Sequence, residues 1–556
     1  MPSPDGLRRY HDVVSHTAVP PRRISPGQRG SWVVAPARAF ALDALGARLL
    51  GPPTSGGSLR WILPVLTAVL AGVLRFVRLG EPGSLVFDET YYVKDAYSLL
   101  LSGYEREWPE DADESFNAGR PQVLLDSPDY VVHPPVGKWM IALGMLAFGS
   151  DNAFGWRFSA AVVGTLSVLL LALVAQRMFG SAALGGAAGL LLAVDGHHLV
   201  ESRTSLLDIF LSFWLLAAFA ALLVDRDDGR RRLARRLSAL AGRTGDGLPS
   251  ALQLAYGPFL GFRPWRLMAG ICLGLALGTK WSALPFIAAF GLLTVAWDLS
   301  ARRIAGIHRW FVGGVVRDGI LAFVCIVPVA LATYLGSWTG WFRSDDAYDR
   351  HWAEQNPSTP WGWLPDALRS LAEYHRSAYT FHRGLGSDHP YEASAWSWLV
   401  VGRPTSFFYE KPGGCAADAC SQAVTVLGNP LIWWSAALSL LVLLFAWVGR
   451  RDWRAAGILS GVAAGYLPWF LYPERTTFYF YAVAFEPFLV LSLVYCLGLV
   501  LGRADASGHR RRRGVLLVGL FLATAVALSA YFLPIWTAEI IPYDEWRSRM
   551  WLPSWI

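Results

Sequence analysis

The chain has 556 residues, 54% of them hydrophobic and only 16% charged, with 26 tryptophans and a mean hydropathy of +0.35. A water-soluble protein of that length is not normally so apolar, and the long uncharged runs match bilayer spans. The net charge of +7 is distributed between those runs rather than on one patch, which favours a membrane surface over nucleic acid as its counterpart.

Residues 1–60 carry Arg8, Arg9, Arg22, Arg23, Arg29, Arg38, Arg48 and Arg60 against three acids. No short apolar core with a cleavage site stands at the start, so the reading is a basic tail rather than a signal peptide, and its Pro, Gly and Arg content predicts disorder. Apolar runs then predict spans near 61–79, 156–176, 181–195, 205–224, 267–281, 283–299, 311–335, 431–449, 455–472, 477–501 and 514–533. The expected fold is an all-α polytopic membrane protein of about eleven transmembrane helices, with a transmembrane domain over 61–533 and a C-terminal tail over 534–556.

Alternating the loops tests that count. The segments on the side of the N-terminal tail contain "RDDGRRRLARR", "ARRIAGIHR", "GRRDWR" and "HRRRR", whereas 80–155 on the opposite side has thirteen acids against four bases. The positive-inside rule puts the tail in the cytoplasm and two large loops, 80–155 and 336–430, outside. A missed span would scramble this pattern.

The first outer loop holds "LVFDETYYVKDAY", residues 85–97, where Asp88 and Glu89 sit just past the first span beside Tyr91, Tyr92, Lys94 and Tyr97. A solvated acidic turn is the plain alternative. Further charges stand close to the expected outer ends of spans: Lys138, Arg157, Arg203, Asp208, Lys280 and Arg475. Charges bordering hydrocarbon are costly and are functional candidates by default. Side-chain snorkelling is the alternative for Arg157, and a buried ion pair with Asp208 for Lys280 or Arg203. In the second outer loop Leu364, Leu368, Leu371, His375, Ala378 and His382 recur at helical spacing, which predicts a helix resting on the membrane surface, its histidines candidates to roof a site.

Taken in order, "FDE", "HPPVGKW", "WRFSA", "SRTSLLDIF", "GTKW", "EYHRSAYTFHRGL" and "HPYEASAWSWLVVGRP" resemble the protein O-mannosyltransferases, over about residues 61–500. The resemblance implies a GT-C type glycosyltransferase fold and an extracytoplasmic active site. It also implies inverting transfer of mannose from a polyprenyl-phosphate mannose to Ser or Thr hydroxyls of secreted proteins. Asp88 and Glu89 fall on the family's essential acidic pair, and Arg157 on its arginine near the second span. Eukaryotic members insert three sugar-binding repeats in the second outer loop; 336–430 is too short for them and resembles the bacterial branch.

The chemistry agrees. A hydroxyl nucleophile needs a carboxylate within reach to take its proton, and Asp88 is the candidate base, with Glu89 orienting the acceptor or anchoring the loop. The lipid phosphate leaves as an anion and needs cations: Arg157 and Arg475 first, Lys138 third. Tyr92, His133, His375, His382 and Trp398 are candidate acceptor or sugar contacts. In "DGHHLVE", Asp195, His197, His198 and Glu201 raise metal binding as a minor alternative, but adjacent histidines diverge and no HExxH or CxxC spacing appears, so no metal or other cofactor is expected. Cys415 and Cys420 of "CAADAC" are expected to form a local disulfide outside, while Cys272, Cys325 and Cys496 pack within spans. Two other functions remain open: a GT-C transferase acting on a lipid or cell-wall glycan, and a transporter, which mid-membrane charges and a repeat between halves would favour.

Overall fold

The protein is described here by a computed structural model covering residues 42–50, 54–243, 255–357, 361–502 and 507–556. Its principal helices are α1 (Leu59–Phe76), α2 (Glu89–Ser102), α3 (Val136–Phe148), α4 (Ala153–Phe179), α5 (Ala182–Val194), α6 (Asp208–Arg243) and α7 (Pro264–Leu277). These are followed by α8 (Leu284–Ile304), α9 (Ile320–Ser337), α10 (Asp366–Gly384), α11 (Pro430–Arg450), α12 (Trp453–Tyr466), α13 (Glu486–Leu501) and α14 (Gly508–Phe532). Side chains terminate several of them as their sequences predict: Asn152 accepts from Gly155 N–H at 2.8 Å, and Asn429 from Leu431 N–H at 3.0 Å.

Among the described residues seven helical segments are long and apolar enough to cross a membrane, and four shorter apolar helices accompany them. Ten of the eleven expected runs overlap these segments, and the run at 455–472 overlaps α12, which belongs to neither set. One of the shorter helices, α3, lies inside what the sequence presents as the first loop; its Lys138 interrupts an otherwise apolar run of 13 residues. The runs at 455–472 and 477–501 are not continuous helices. Pro468 opens a 3₁₀ turn over Leu467–Leu471, a second 3₁₀ turn covers Tyr479–Ala484, and Pro487 starts α13. The stretch between the two turns carries Arg475.

Helix α1 packs against α4 and α5, α6 against α4 and α7, and α7 against α9. Arg203 closes the C-terminus of α1, donating to the carbonyls of Leu74 (3.1 Å), Arg75 (2.9 Å), Val77 (2.8 Å) and Arg78 (2.9 Å). A cation there satisfies both the orphan carbonyls and the helix dipole. Arg203 therefore does not pair with Asp208, as one reading of the sequence has it; Lys280 does, at 2.6 Å.

Most of the expected disordered tail lies outside the described residues. Leu42–Leu49, however, forms a helix whose Leu45 and Leu49 are buried with Leu233 and Leu237 of α6. The C-terminal segment 534–556 packs on the expected second outer loop. A strand β3 (Ile540–Pro542) completes an antiparallel sheet with β1 (Thr405–Glu410) and β2 (Cys420–Val426), in the order β1-β2-β3. Arg403 donates to the carbonyls of Ser554 and Ile556 at 2.6 Å each. Cys415 and Cys420 are joined in a disulfide beside the β1–β2 connection.

Asp225 lies 17 residues along α6 from Asp208, about 25 Å at the helical rise. There it accepts from Arg263 (2.6 Å) and Arg266 (3.1 Å), which both also reach Asp298 (2.9 and 2.6 Å), and all four are buried. This neutral quartet ties α6, α7 and α8 together far from Asp88. Asp225→Asn keeps the shape and removes the charge, so it is expected to cost about 2 kcal/mol, as loss of charge-assisted hydrogen bonds does. Thermal unfolding in detergent reads this as a lowered midpoint, with turnover per folded molecule retained.

Candidate active site

The start of α2 is built by a reverse turn in which Glu89 N–H donates to the Val86 carbonyl at 3.0 Å. Glu89 also folds its carboxylate back on the same turn, accepting from Val86 N–H at 3.0 Å, and accepts from Ser205 N–H at 2.8 Å. Arg157 grips both carboxylate oxygens, Nε to Oε1 and Nη2 to Oε2, each at 2.8 Å, and both residues are fully buried. The remaining Arg157 donors go to the carbonyls of Leu79 (3.4 Å), Pro82 (2.7 Å) and Ser84 (2.9 Å). A guanidinium has five N–H groups, and all five are directed at the protein. Arg157 thus has no donor left for a phosphate, contrary to the expectation from sequence; the fork that suits phosphate suits a buried carboxylate equally well. Glu89 anchors the loop.

Asp88 is different. It occupies the N-cap position of α2, but its side chain makes no capping hydrogen bond, and it is only half-buried. Burial raises its carboxyl from the ordinary carboxylate range to about 6; the Lys280 ammonium pulls the other way, Asp208 adds to the rise, and a Tyr92 hydroxyl hydrogen bond opposes it. A base poised near neutrality, accepting from the Tyr92 hydroxyl and held by no capping hydrogen bond, suits proton abstraction from a hydroxyl.

Two cations stand at the Tyr481 ring, and one of them, Lys280, acts on Asp88. Lys280, paired with Asp208, lies with its Nζ 5.1 Å from the Tyr481 ring centroid, and the Arg475 guanidinium lies 5.8 Å from the same ring and 5.4 Å from Trp469. Arg475 donates through Nε to the His382 carbonyl at 3.1 Å, while its two terminal nitrogens donate to nothing among the described residues. It is the expected phosphate ligand with donors to offer. Lys138 is not: it is fully buried, bonded to Glu105 and 3.6 Å from Asp95. Those two carboxylates use its charge to tie α2 to α3.

The aromatic and histidine candidates divide as well. Tyr92 faces His133 at 6.0 Å between ring centroids, and His133 faces His382 at 5.0 Å. Burial, then Lys280, His382, Lys138 and Arg475, hold His133 well below the ordinary imidazole range, so it is neutral among cations. Burial also lowers His382, to about 4; its Nε2–H donates to the Val132 carbonyl at 3.0 Å, and its buried Nδ1 has no partner among the described residues. His375 does not roof an open site. It bonds the Tyr334 hydroxyl and the Leu371 carbonyl (2.6 Å), stacks on Trp281, and borders a cavity of only about 10 Å³, no more than one water needs. Trp398 is fully buried, donates to the Ala393 carbonyl at 2.8 Å and packs behind Trp469 and Tyr481, so it supports these rings from the core.

Within "DGHHLVE" the side chains diverge. Asp195 accepts from Trp433 Nε1 at 3.2 Å, His197 meets Glu486 at 2.7 Å and His198 meets Arg75 at 2.8 Å. Among the described residues no group of three or more His, Cys, Asp or Glu side chains is placed to hold a metal ion. Tyr481 and Trp469 were not singled out by the sequence. The signal for Tyr481 was the aromatic run "FYFYAV", separated from Arg475 by two residues, and for Trp469 the aromatic stretch "PWFLY" before it.

Residues 65–243 match the family described as dolichyl-phosphate-mannose-protein mannosyltransferase, and residues 367–555 match the C-terminal four-transmembrane region of protein O-mannosyltransferase. The polyprenol-phosphate-mannose–protein mannosyltransferase of Mycobacterium tuberculosis is 38% identical over 510 residues, 89% of this chain and 92% of that protein. The protein of the same name from Corynebacterium glutamicum is 34% identical over 503 residues, covering 88% and 92%. Among solved structures, the Saccharomyces cerevisiae protein O-mannosyltransferase Pmt1–Pmt2 complex bound to the sugar donor superposes with a TM-score of 0.64 at 16% identity, over 94% of this chain and 95% of that one.

Proposed function

The chain belongs to the protein O-mannosyltransferase family, and from that premise we propose that it transfers mannose from a polyprenyl-phosphate mannose to Ser and Thr hydroxyls of proteins. The observation that carries the reading is Asp88, a half-buried carboxylate raised to about 6 that makes no capping hydrogen bond, beside Lys280, with Arg475 at the neighbouring Tyr481 ring. In the reaction the Asp88 carboxylate takes the hydroxyl proton as the acceptor oxygen bonds to the mannose anomeric carbon. The bond from that carbon to the phosphate oxygen breaks, and the polyprenyl phosphate leaves as an anion. Attack opposite the leaving group inverts the anomeric centre. Arg475 neutralises the charge that builds on phosphate, and the reading calls for no cofactor.

The charge pattern of the loops supports a plasma-membrane enzyme of GT-C type with eleven spans, its basic segments in the cytoplasm and Asp88 outside. Acceptors would then be secreted or membrane proteins, met during or soon after export while their hydroxyls are exposed. A lipid or cell-wall glycan acceptor is the alternative that a product analysis separates.

Arg475→Ala is expected to raise the Michaelis constant for the lipid-linked donor by about tenfold or more, with that for a Ser/Thr peptide little changed, as loss of a charge-assisted phosphate contact predicts. Arg475→Lys should recover only part, because a point charge replaces a fork. Steady-state kinetics in which Arg475→Ala altered only the peptide constant would remove Arg475 from the donor site.

A further inference from the structure

Phe87, the residue before Asp88, has a φ of +49°. Positive φ at a bulky residue is a genuine outlier and costs on the order of 1–2 kcal/mol. It stands at the first central position of the Val86–Glu89 turn, where φ values of this sign favour glycine. Glycine would take the same backbone at no steric cost, yet a phenylalanine is there.

Its ring is held on four sides. Phe87 stacks on Phe407 with centroids 4.7 Å apart and planes 18° from parallel. Phe480 (5.5 Å), Phe478 (5.9 Å) and His389 (6.2 Å) meet it edge-on. Phe407 reaches it from an irregularity in the sheet. The pairing of β1 with β2 shifts between Ser406 and Phe408, so Phe407 is the residue left out of register. Such bulges re-aim a side chain. The cage thus joins the base loop to β1, to the loop at 389 and to the 478–480 segment that continues into Tyr481.

We propose that Phe87 is a positioning residue for Asp88: caged by Phe407, Phe478, Phe480 and His389, its ring holds the left-handed turn that aims the Asp88 carboxylate at the acceptor hydroxyl. Glu89 fixes the other side of Asp88 through Arg157, so the base is gripped from both neighbours while its own side chain makes no capping hydrogen bond. The strain at Phe87 persists because the surrounding rings over-determine the conformation, which is how strained residues come to lie beside reacting groups.

The inference rests on Asp88 being the base. Its test is kinetic, with purified enzyme in lipid vesicles, polyprenyl-phosphate mannose and a Ser/Thr peptide. Phe87→Gly relieves the backbone and removes the ring. It is expected to lower kcat about 10²-fold, the scale of a misplacement near 1 Å, with both Michaelis constants within about twofold. Phe407→Ala, which leaves the turn untouched, should lower kcat about tenfold, and the double variant should be no slower than Phe87→Gly alone, as residues acting as one unit behave. A folded Phe87→Gly enzyme with kcat within about threefold of the parent, a loss confined to Michaelis constants, or multiplicative losses in the double variant would each overturn the proposal. If Phe87→Gly does not fold, Phe407→Ala decides alone by the same criterion. An active Asp88→Asn enzyme would defeat the base assignment itself; an active Phe87→Gly beside an inactive Asp88→Asn defeats only this one.

Discussion

Asp88→Asn is expected to abolish mannosyl transfer while leaving the protein folded and in the membrane. The amide keeps the volume and the N-cap position but cannot accept a proton, and loss of a general base costs about 10²–10⁴-fold in rate. Because the Asp88 side chain makes no capping hydrogen bond, little stability depends on its charge. The same group sets a pH dependence. Its carboxyl is raised to about 6, so the active carboxylate form is complete above that value and is lost as pH falls through it. The rate should then drop about tenfold per unit below the transition. Desolvation is the leading cause, so opening the site to water would move the limb downward. A well-expressed Asp88→Asn enzyme of near-normal activity would take Asp88 out of the mechanism.

Arg157→Ala is expected to fail at an earlier step. It strands the Glu89 carboxylate at full burial and releases the carbonyls of Leu79, Pro82 and Ser84. Removing one partner of a buried pair typically costs about 3–5 kcal/mol, a large part of a domain's stability. Arg157→Lys should not rescue it, since three donors on a point charge cannot cover two carboxylate oxygens and three carbonyls. The readouts are yield and unfolding midpoint in detergent, with activity falling in proportion to folded protein. Were Arg157→Ala to unfold like the parent and lose only affinity for the lipid donor, the phosphate role drawn from sequence would stand and the clamp would not.

Those two residues mark how far the sequence was legible. The helices could be read because lipid leaves no other option for long apolar runs, and each run overlaps a helix. Asp88 could be picked out as a candidate because a carboxylate pair at the end of a span is costly without a use. The partner of Arg157 could not, because a guanidinium fork fits phosphate and carboxylate alike, and only the fold brings Glu89 to it across 68 residues. Lys138 was misread for the same reason: its acids, Asp95 and Glu105, are distant in sequence and adjacent in space. For Lys280 the sequence leaves a functional charge and an ion pair with Asp208 both open. The pair forms, and Lys280 also faces Asp88 and Tyr481. Strand β3 was invisible, since a three-residue strand at 540–542 has no periodicity to read, only a partner at 420–422.

The most direct test of the account is transfer by the purified protein, reconstituted in vesicles with radiolabelled polyprenyl-phosphate mannose and offered a flexible threonine-bearing peptide. The same peptide with Thr→Val keeps the shape and lacks the nucleophile. Label on the threonine peptide, its absence from the valine peptide, and a wild-type rate that collapses about 10²-fold or more in Asp88→Asn are the predicted results. Label that passes to lipid and never to the hydroxyl peptide would contradict the account.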